Sequence, residues 1–241
     1  MLFLSPKAVL DGSKAIRGGI PLVFPQFGLG PLMPKLQHGF ARISKWQWLG
    51  VHTDNADELR VEFGLTESPS SLSLWPNAFR LVFSVSLLVG GKLRTALDVK
   101  NTNTNGQAFT FTTLLHTYFT VDDISKTKVT GLQGLQFKDR TRDYDEFKDT
   151  EPFVTFNGEV DRTYLNASDR MLEVPGKIRI ATEGFRDAVV WNPGKEKAKA
   201  MADLGEEAFR RMVCVEVGTT TDIVLPAGSS WSGSQLVQAL E

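Results

Sequence analysis

At 241 residues the chain is long enough for one large domain or two small ones, and it can bury on the order of 70% of its unfolded surface without disulfides or structural metals. Its 27 basic and 28 acidic residues leave a net charge of −1, so no positive excess draws it to nucleic acid or to anionic lipid. The single cysteine, Cys214, has no internal disulfide partner, and His38, His52 and His116 are too scattered to make a metal-ligand spacing.

In chain order, the opening Met1-Leu-Phe-Leu-Ser-Pro-Lys7 is too short and has no preceding basic residue for a signal peptide, which points to a reducing, cytoplasmic setting. Short runs of Phe, Val, Thr and Trp then alternate with Gly, Asn, Asp and Pro, the texture of an all-β chain. Ser68 to Ser73 reads as a loop. Phe79, Leu81, Phe83, Val85, Leu87 and Val89 alternate with polar residues and predict a strand with one buried face. That apolar stretch, bounded by Arg80 and Lys92, is far shorter than the roughly 20 residues of a membrane span. Leu93, Thr95, Leu97 and Val99 repeat the pattern, and Asn101 to Gly106 suits a hairpin into the next strand. That next strand runs long, from Gln107 to about Val121, with Phe109, Phe111, Leu115 and Phe119 on one face and Thr110, Thr112, His116 and Tyr118 on the other. Further strands are expected over Lys177 to Thr182, Ala188 to Trp191, Arg211 to Val217, Thr221 to Leu225 and Ser234 to Leu240, with a helix over Glu196 to Phe209. No repeat or linker divides the chain, so residues 1–241 are expected to fold as one β-sandwich domain.

Chemistry is first narrowed by what is missing. There is no Walker-type loop, no GxSxG elbow, no HExxH helix and no GxGxxG turn, which leaves acid-base work. Glu216 stands out because Val213, Val215 and Val217 line one face of its strand and Met212 and Cys214 share the other. Such a carboxylate either emerges into water near Gly218 or serves as a general base tuned by burial. His116 is either a solvent-facing or hydrogen-bonded histidine or a catalytic one, and Thr110, Thr112 and Tyr118 around it suit a polyhydroxylated ligand. Arg17 precedes Gly18 and Gly19, which remove side-chain bulk so that a ligand can approach the backbone; an ordinary turn is the alternative. Gln37, His38 and Arg42 crowd an amide, an imidazole and a guanidinium around Gly39, a binding-loop composition. Asp161, beside Arg162, is expected at a strand edge or turn, and Asn166-Ala-Ser168 is a chance sequon.

Seven blocks, in order, resemble the glucose-6-phosphate 1-epimerases, the hexose-phosphate branch of the aldose 1-epimerase (galactose mutarotase-like) superfamily. They are Leu-Asp-Gly-Ser-Lys-Ala-Ile-Arg-Gly-Gly-Ile-Pro-Leu-Val-Phe-Pro-Gln-Phe-Gly from Leu10, Gln-His-Gly-Phe-Ala-Arg from Gln37, Leu-His-Thr-Tyr-Phe from Leu115, Val-Thr-Gly-Leu-Gln-Gly-Leu from Val129, Val-Asp-Arg-Thr-Tyr from Val160, Trp-Asn-Pro from Trp191 and Met-Val-Cys-Val-Glu from Met212. The resemblance implies a large antiparallel β-sandwich and an isomerase that interconverts the α and β anomers of glucose 6-phosphate. It makes His116 the general acid and Glu216 the general base. It places Arg17, Gln37, Arg42 and Asp161 on the sugar phosphate, and His38 where the wider superfamily has a second substrate-contacting histidine.

It implies no cofactor and no metal, a small-molecule hexose 6-phosphate as the partner, no nucleic acid or membrane, and a monomer. A histidinium beside an ionised glutamate is the expected working state, helped by a nearby phosphate dianion. Relatives usually carry some tens of residues before the Leu2-Phe-Leu-Ser-Pro-Lys7 block, so early strands of the sandwich are expected to be missing here. Val-Gly-Thr-Thr-Thr-Asp after Glu216 is expected to be a compact connection at the rim. Two rival readings stay open: a non-catalytic carbohydrate-binding or regulatory protein on the same fold, and glycoside hydrolysis by Asp161 with Glu216.

Overall fold

The computed structural model describes residues 1–240, which form two antiparallel sheets. The nine-stranded sheet runs β11 (Phe153–Val154), β8 (Val129–Thr130), β13 (Leu172–Val174), β14 (Ile178–Glu183), β17 (Ser230–Ala239), β5 (Lys92–Asn101), β4 (Phe79–Leu88), β3 (Glu58–Thr66) and β2 (Gln47–Asp54). The eight-stranded sheet runs β1 (Leu22–Val23), β6 (Phe109–Leu115), β16 (Met212–Leu225), β15 (Asp187–Asn192), β12 (Val160–Tyr164), β9 (Gln136–Asp139) and β10 (Asp145–Lys148), with β7 (Tyr118–Thr120) also on β16. The all-β antiparallel architecture expected from the alternation is what forms. No helix among the described residues is long and apolar enough to cross a membrane.

Phe111 of β6 meets Trp231 of β17 at 5.7 Å, so this face of the eight-stranded sheet looks into the sandwich. Leu115 shares that face with Phe111 and pairs with Val217, which places Val213, Val215 and Val217 inside as well. The other face carries Thr112, His116, Met212, Cys214 and Glu216. It is roofed by the N-terminal segment and by residues 194–211: Phe27 N–H donates to Thr112 Oγ1 at 2.7 Å, and Asn192 Nδ2 donates to the Phe209 carbonyl at 2.9 Å.

Several local expectations change. The Asn101–Gly106 stretch is not a hairpin, because β4 and β17 already occupy both edges of β5. The chain crosses to the other sheet instead, and Asn101 Nδ2 marks the crossing by donating to the Leu225 carbonyl of β16 at 2.8 Å. The long strand over 107–121 breaks between β6 and β7. Arg211–Val217 and Thr221–Leu225 are one strand, β16, with a bulge between Thr219 and Ile223, so the threonine-rich run continues the strand rather than forming a connection. Ser68–Ser73 is largely a short helix, α1 (Pro69–Leu74). Ser68 Oγ accepts from Ser71 N–H, Ser71 Oγ accepts from Ser68 N–H, and Pro69 opens the first turn. The later helix, α2 (Gly194–Ala200), ends well before Phe209, because Leu204 is fully buried and Ser5 Oγ binds the Asp203 carbonyl at 2.6 Å. Asp161 is the second residue of β12, paired with Trp191 of β15 and one residue short of the pairing with β9, which begins at Arg162, so it lies near a strand end rather than in a turn. The outer hairpin β2–β3 escaped the sequence reading; its register slips between Trp48 and Gly50 and again between Val51 and Thr53.

The N-terminal segment is held down by one aromatic nail. Phe24 is fully buried, with ring contacts to Phe40, Trp75, Phe79 and Phe111 at 6.0, 5.5, 5.6 and 5.4 Å. Its carbonyl accepts from Phe40 N–H at 3.0 Å, and Gly39, at φ +68°, passes so close that any Cβ would collide with that carbonyl. Phe24→Ala is expected to cost about 3–5 kcal/mol in urea unfolding, with activity lost alongside as the roof of the sheet loosens.

Candidate active site

Strand register assembles the site. Asp161 lies opposite Trp191, Trp191 opposite Cys214 and Cys214 opposite Tyr118, so four strands contribute one row of side chains to a single face. In the adjacent row of that face Val189 lies opposite Glu216. His116 joins them through the break between β6 and β7. There Thr117 N–H donates back to the Leu115 carbonyl at 2.9 Å, while His116 N–H donates to the Pro21 carbonyl at 3.0 Å. Thr117 is pinned from the sandwich interior by Gln235, whose Nε2 donates to Thr117 Oγ1 at 3.0 Å and to Thr95 Oγ1 at 3.1 Å. The kink thereby turns the imidazole toward Glu216.

His116 Nδ1 lies 3.2 Å from Glu216 Oε1, and the residues are 7% and 1% exposed. Glu216 therefore does not emerge into water at Gly218, and His116 is not solvent-facing. Among the described residues neither His116 Nδ1 nor Glu216 Oε2 has a hydrogen-bond partner, an unusual cost for buried polar atoms and one expected where a ligand is to be handled. The His116 ring is stacked on Tyr118 at 4.8 Å and 9°, and met edge-on by Trp191 at 5.8 Å and by His38 at 5.6 Å.

Above the pair opens a pocket of about 290 Å³, near the small end for small-molecule sites. Arg17, Gln37, His38, Arg42, His116, Asp161 and Glu216, the seven residues to which the resemblance gives a role, line it. Arg17 is clamped by Asp203, with Nε and Nη2 each 3.3 Å from a carboxylate oxygen, and its Nη1 donates to the Tyr118 hydroxyl at 3.0 Å. Arg42 Nη2 donates to the Gln37 carbonyl at 2.9 Å. His38 is held at φ +67° and its Nδ1 accepts from Gly28 N–H at 3.2 Å, which puts the ring proton on Nε2.

Other readings shift. Gly18 makes room for protein rather than ligand, since a side chain there would strike the Phe3 carbonyl and Leu4 Cα. Thr112 and Tyr118 do not line the pocket, and the Thr112 hydroxyl is taken by Phe27 N–H. Conversely Arg140, Trp191, Lys197, Phe27, Val189 and Met201 line it without having been singled out for a role. Arg140 Nε lies 3.9 Å from Asp161 Oδ2, with its guanidinium near the Phe27 ring. Nothing in Lys138-Asp-Arg-Thr-Arg142 marks it in sequence. Cys214 brings a third donor atom within 4.8 Å of those of His116 and Glu216, a grouping that residue spacing conceals. Burial, followed by the Glu216 charge, pushes its thiol up, so it stays protonated.

Electrostatics of the pair differ from expectation. Burial, followed by the charges of Arg42 and Arg17, drives the His116 imidazole from 6.5 down to about 3. Burial, reinforced by Asp161, drives the Glu216 carboxyl well above 4.5, against the pull of Arg140 and Arg42. In the protein by itself burial thus disfavours the charged form of each partner, the imidazolium of His116 and the carboxylate of Glu216. Burial likewise takes His38 down to about 2, helped by His116 and Arg42. The unfolded chain protonates these imidazoles below about pH 6.5 while the folded chain does not, so the unfolded state binds more protons and stability falls as pH drops from 6.5 toward 4.5. Each contributes up to about 1.4 kcal/mol per pH unit. Glu216 acts with the opposite sign, its contribution declining as pH rises above 4.5. Denaturation of His38→Gln across this window should give a dependence shallower than wild type by up to about 1.4 kcal/mol per pH unit.

Comparison with known proteins agrees with this arrangement. The pattern of the family described as aldose 1-epimerase matches residues 1–238. A Cenchrus ciliaris protein named "Putative glucose-6-phosphate 1-epimerase" is 36% identical over 249 residues, covering 100% of this chain and 75% of its own length. A protein of the same name from Escherichia coli (strain K12) is 34% identical over 226 residues, covering 92% of this chain and 74% of its own. Among solved structures, a "putative mutarotase (YeaD)" from Salmonella typhimurium superimposes with a TM-score of 0.88 at 27% identity, over 100% of this chain and 80% of that one. The chain belongs to the aldose 1-epimerase family.

Proposed function

We propose that this enzyme interconverts the α and β anomers of a hexose 6-phosphate, with glucose 6-phosphate as its substrate, by acid-base opening and closing of the ring. The observation that carries this reading is the buried Glu216 carboxyl 3.2 Å from the His116 imidazole, in a pocket rimmed by Arg17, Arg42 and Arg140. The names of the relatives support the same reaction and substrate. A non-catalytic sugar-binding role would leave that pair without a use.

Burial and the arginine charges hold His116 down in the free protein. A phosphate dianion held by those guanidinium forks offsets their charge and favours an imidazolium at His116 beside an ionised Glu216. Glu216 then takes the proton of the anomeric hydroxyl while His116 gives its proton to the ring oxygen; the bond from C1 to the ring oxygen breaks and the aldehyde forms. After rotation about C1–C2, His116 takes the proton back from the C5 hydroxyl, Glu216 returns one to the carbonyl oxygen, and the ring closes on the opposite face. The proton balance closes on the two side chains. Neutral His38 offers its Nε2–H to a sugar oxygen, and Gln37 and Asp161 hold hydroxyls.

Polarimetry on freshly dissolved α-glucose 6-phosphate tests this directly. His116→Asn and Glu216→Gln should each slow catalysed anomer exchange by about 10² or more, while Arg17→Ala should chiefly raise KM. Wild-type turnover in His116→Asn would remove the acid from the scheme.

A further inference from the structure

We propose that Tyr118 is a positioning residue that couples the anion-binding Arg17 to the His116 imidazole; the inference rests on the reaction proposed above. Tyr118 is 1% exposed and does not line the pocket, so it acts through its neighbours. Its two ends serve different partners. The ring lies parallel to the His116 imidazole at 4.8 Å and 9°. Trp191 stands edge-on to both rings, at 5.8 and 6.0 Å and 85°, so aromatic packing leaves the imidazole one plane. The hydroxyl end accepts from Arg17 Nη1 at 3.0 Å.

Among the described residues the Arg17 guanidinium has one other anchor, the Asp203 carboxylate at 3.3 Å, and Asp203 is itself fixed through its carbonyl by Ser5 Oγ at 2.6 Å. The backbone binds the same parts together: Tyr118 N–H donates to the Gly19 carbonyl at 3.0 Å, and Phe3 N–H donates to the Tyr118 carbonyl at 2.9 Å. A residue needed only to fill this space would require no hydroxyl. Here the hydroxyl joins the guanidinium that meets the phosphate to the ring against which the acid rests. Burial pushes the phenol up, which keeps it a neutral acceptor for the arginine.

Two variants separate the two ends. Tyr118→Phe keeps the stack and removes the acceptor, and should raise KM for glucose 6-phosphate roughly tenfold with kcat changed less than about threefold. Tyr118→Leu removes the stack and should lower kcat roughly tenfold or more. With three histidines in the chain, the His116 resonance is identified by its loss in His116→Asn. That resonance should keep its ring-current displacement in the Phe variant and lose it in the Leu variant. Titration with inorganic phosphate should shift it in wild type and several-fold less in Tyr118→Phe. An equal phosphate response in wild type and Tyr118→Phe overturns the coupling, as does an unchanged KM in that folded variant. A wild type silent in polarimetry would sink the reaction, whereas the phosphate titration would still decide the coupling on its own.

Discussion

The molecule is organised around a carboxyl group placed where carboxyl groups are least at ease. Glu216 sits within β16, with the sandwich interior behind it and the N-terminal roof in front. An isolated carboxylate in such surroundings would be strongly disfavoured unless it found a cation or kept its proton. The structure favours the second. Burial favours the protonated carboxyl, and the kink at Thr117, held through the sheet by Gln235, places the His116 imidazole 3.2 Å away. The aromatic nail at Phe24 closes the roof that makes the burial possible.

The arginines then set the terms on which the pair works. Their charge opposes an imidazolium at His116, and under the proposed reaction an entering anion would alter the field that sets where the proton resides. Under the proposed reaction a sugar lacking its phosphate would meet Glu216 and His116 in the less useful protonation state. Discrimination would therefore reside in the chemical step as well as in affinity.

Much of this was legible in the sequence where a residue type conflicted with its surroundings. Glu216 could be singled out because valines flank it, the alternation in β4 and β5 marked real strands, and the expected runs over Lys177–Thr182 and Ala188–Trp191 correspond to β14 and β15. What stayed hidden depends on contacts distant along the chain. Asn101–Gly106 has the composition of a hairpin, but β17, over 120 residues later, takes the edge of β5 that β6 would have needed. The Ala- and Lys-rich run after Gly194 favours helix beyond Ala200, but burial of Leu204 against the N-terminal segment stops it. Arg140 reaches the pocket only because β9 ends beside β12, and neighbouring residues carry no trace of that. Gly18 was informative for the wrong reason: the space it leaves is filled by the chain's own backbone.

The outer margin of the nine-stranded sheet has a consequence for behaviour in concentrated solution. Among the described residues β2 presents an open edge with exposed Trp48 and Val51, the kind of strand that recruits others into continuous sheets. Its two slips of register against β3 interrupt the even spacing of amide and carbonyl groups that an incoming strand must match. A second molecule approaching that margin finds no long, regular ladder to extend, and the sticky side chains are left without the backbone template needed for fibrous growth.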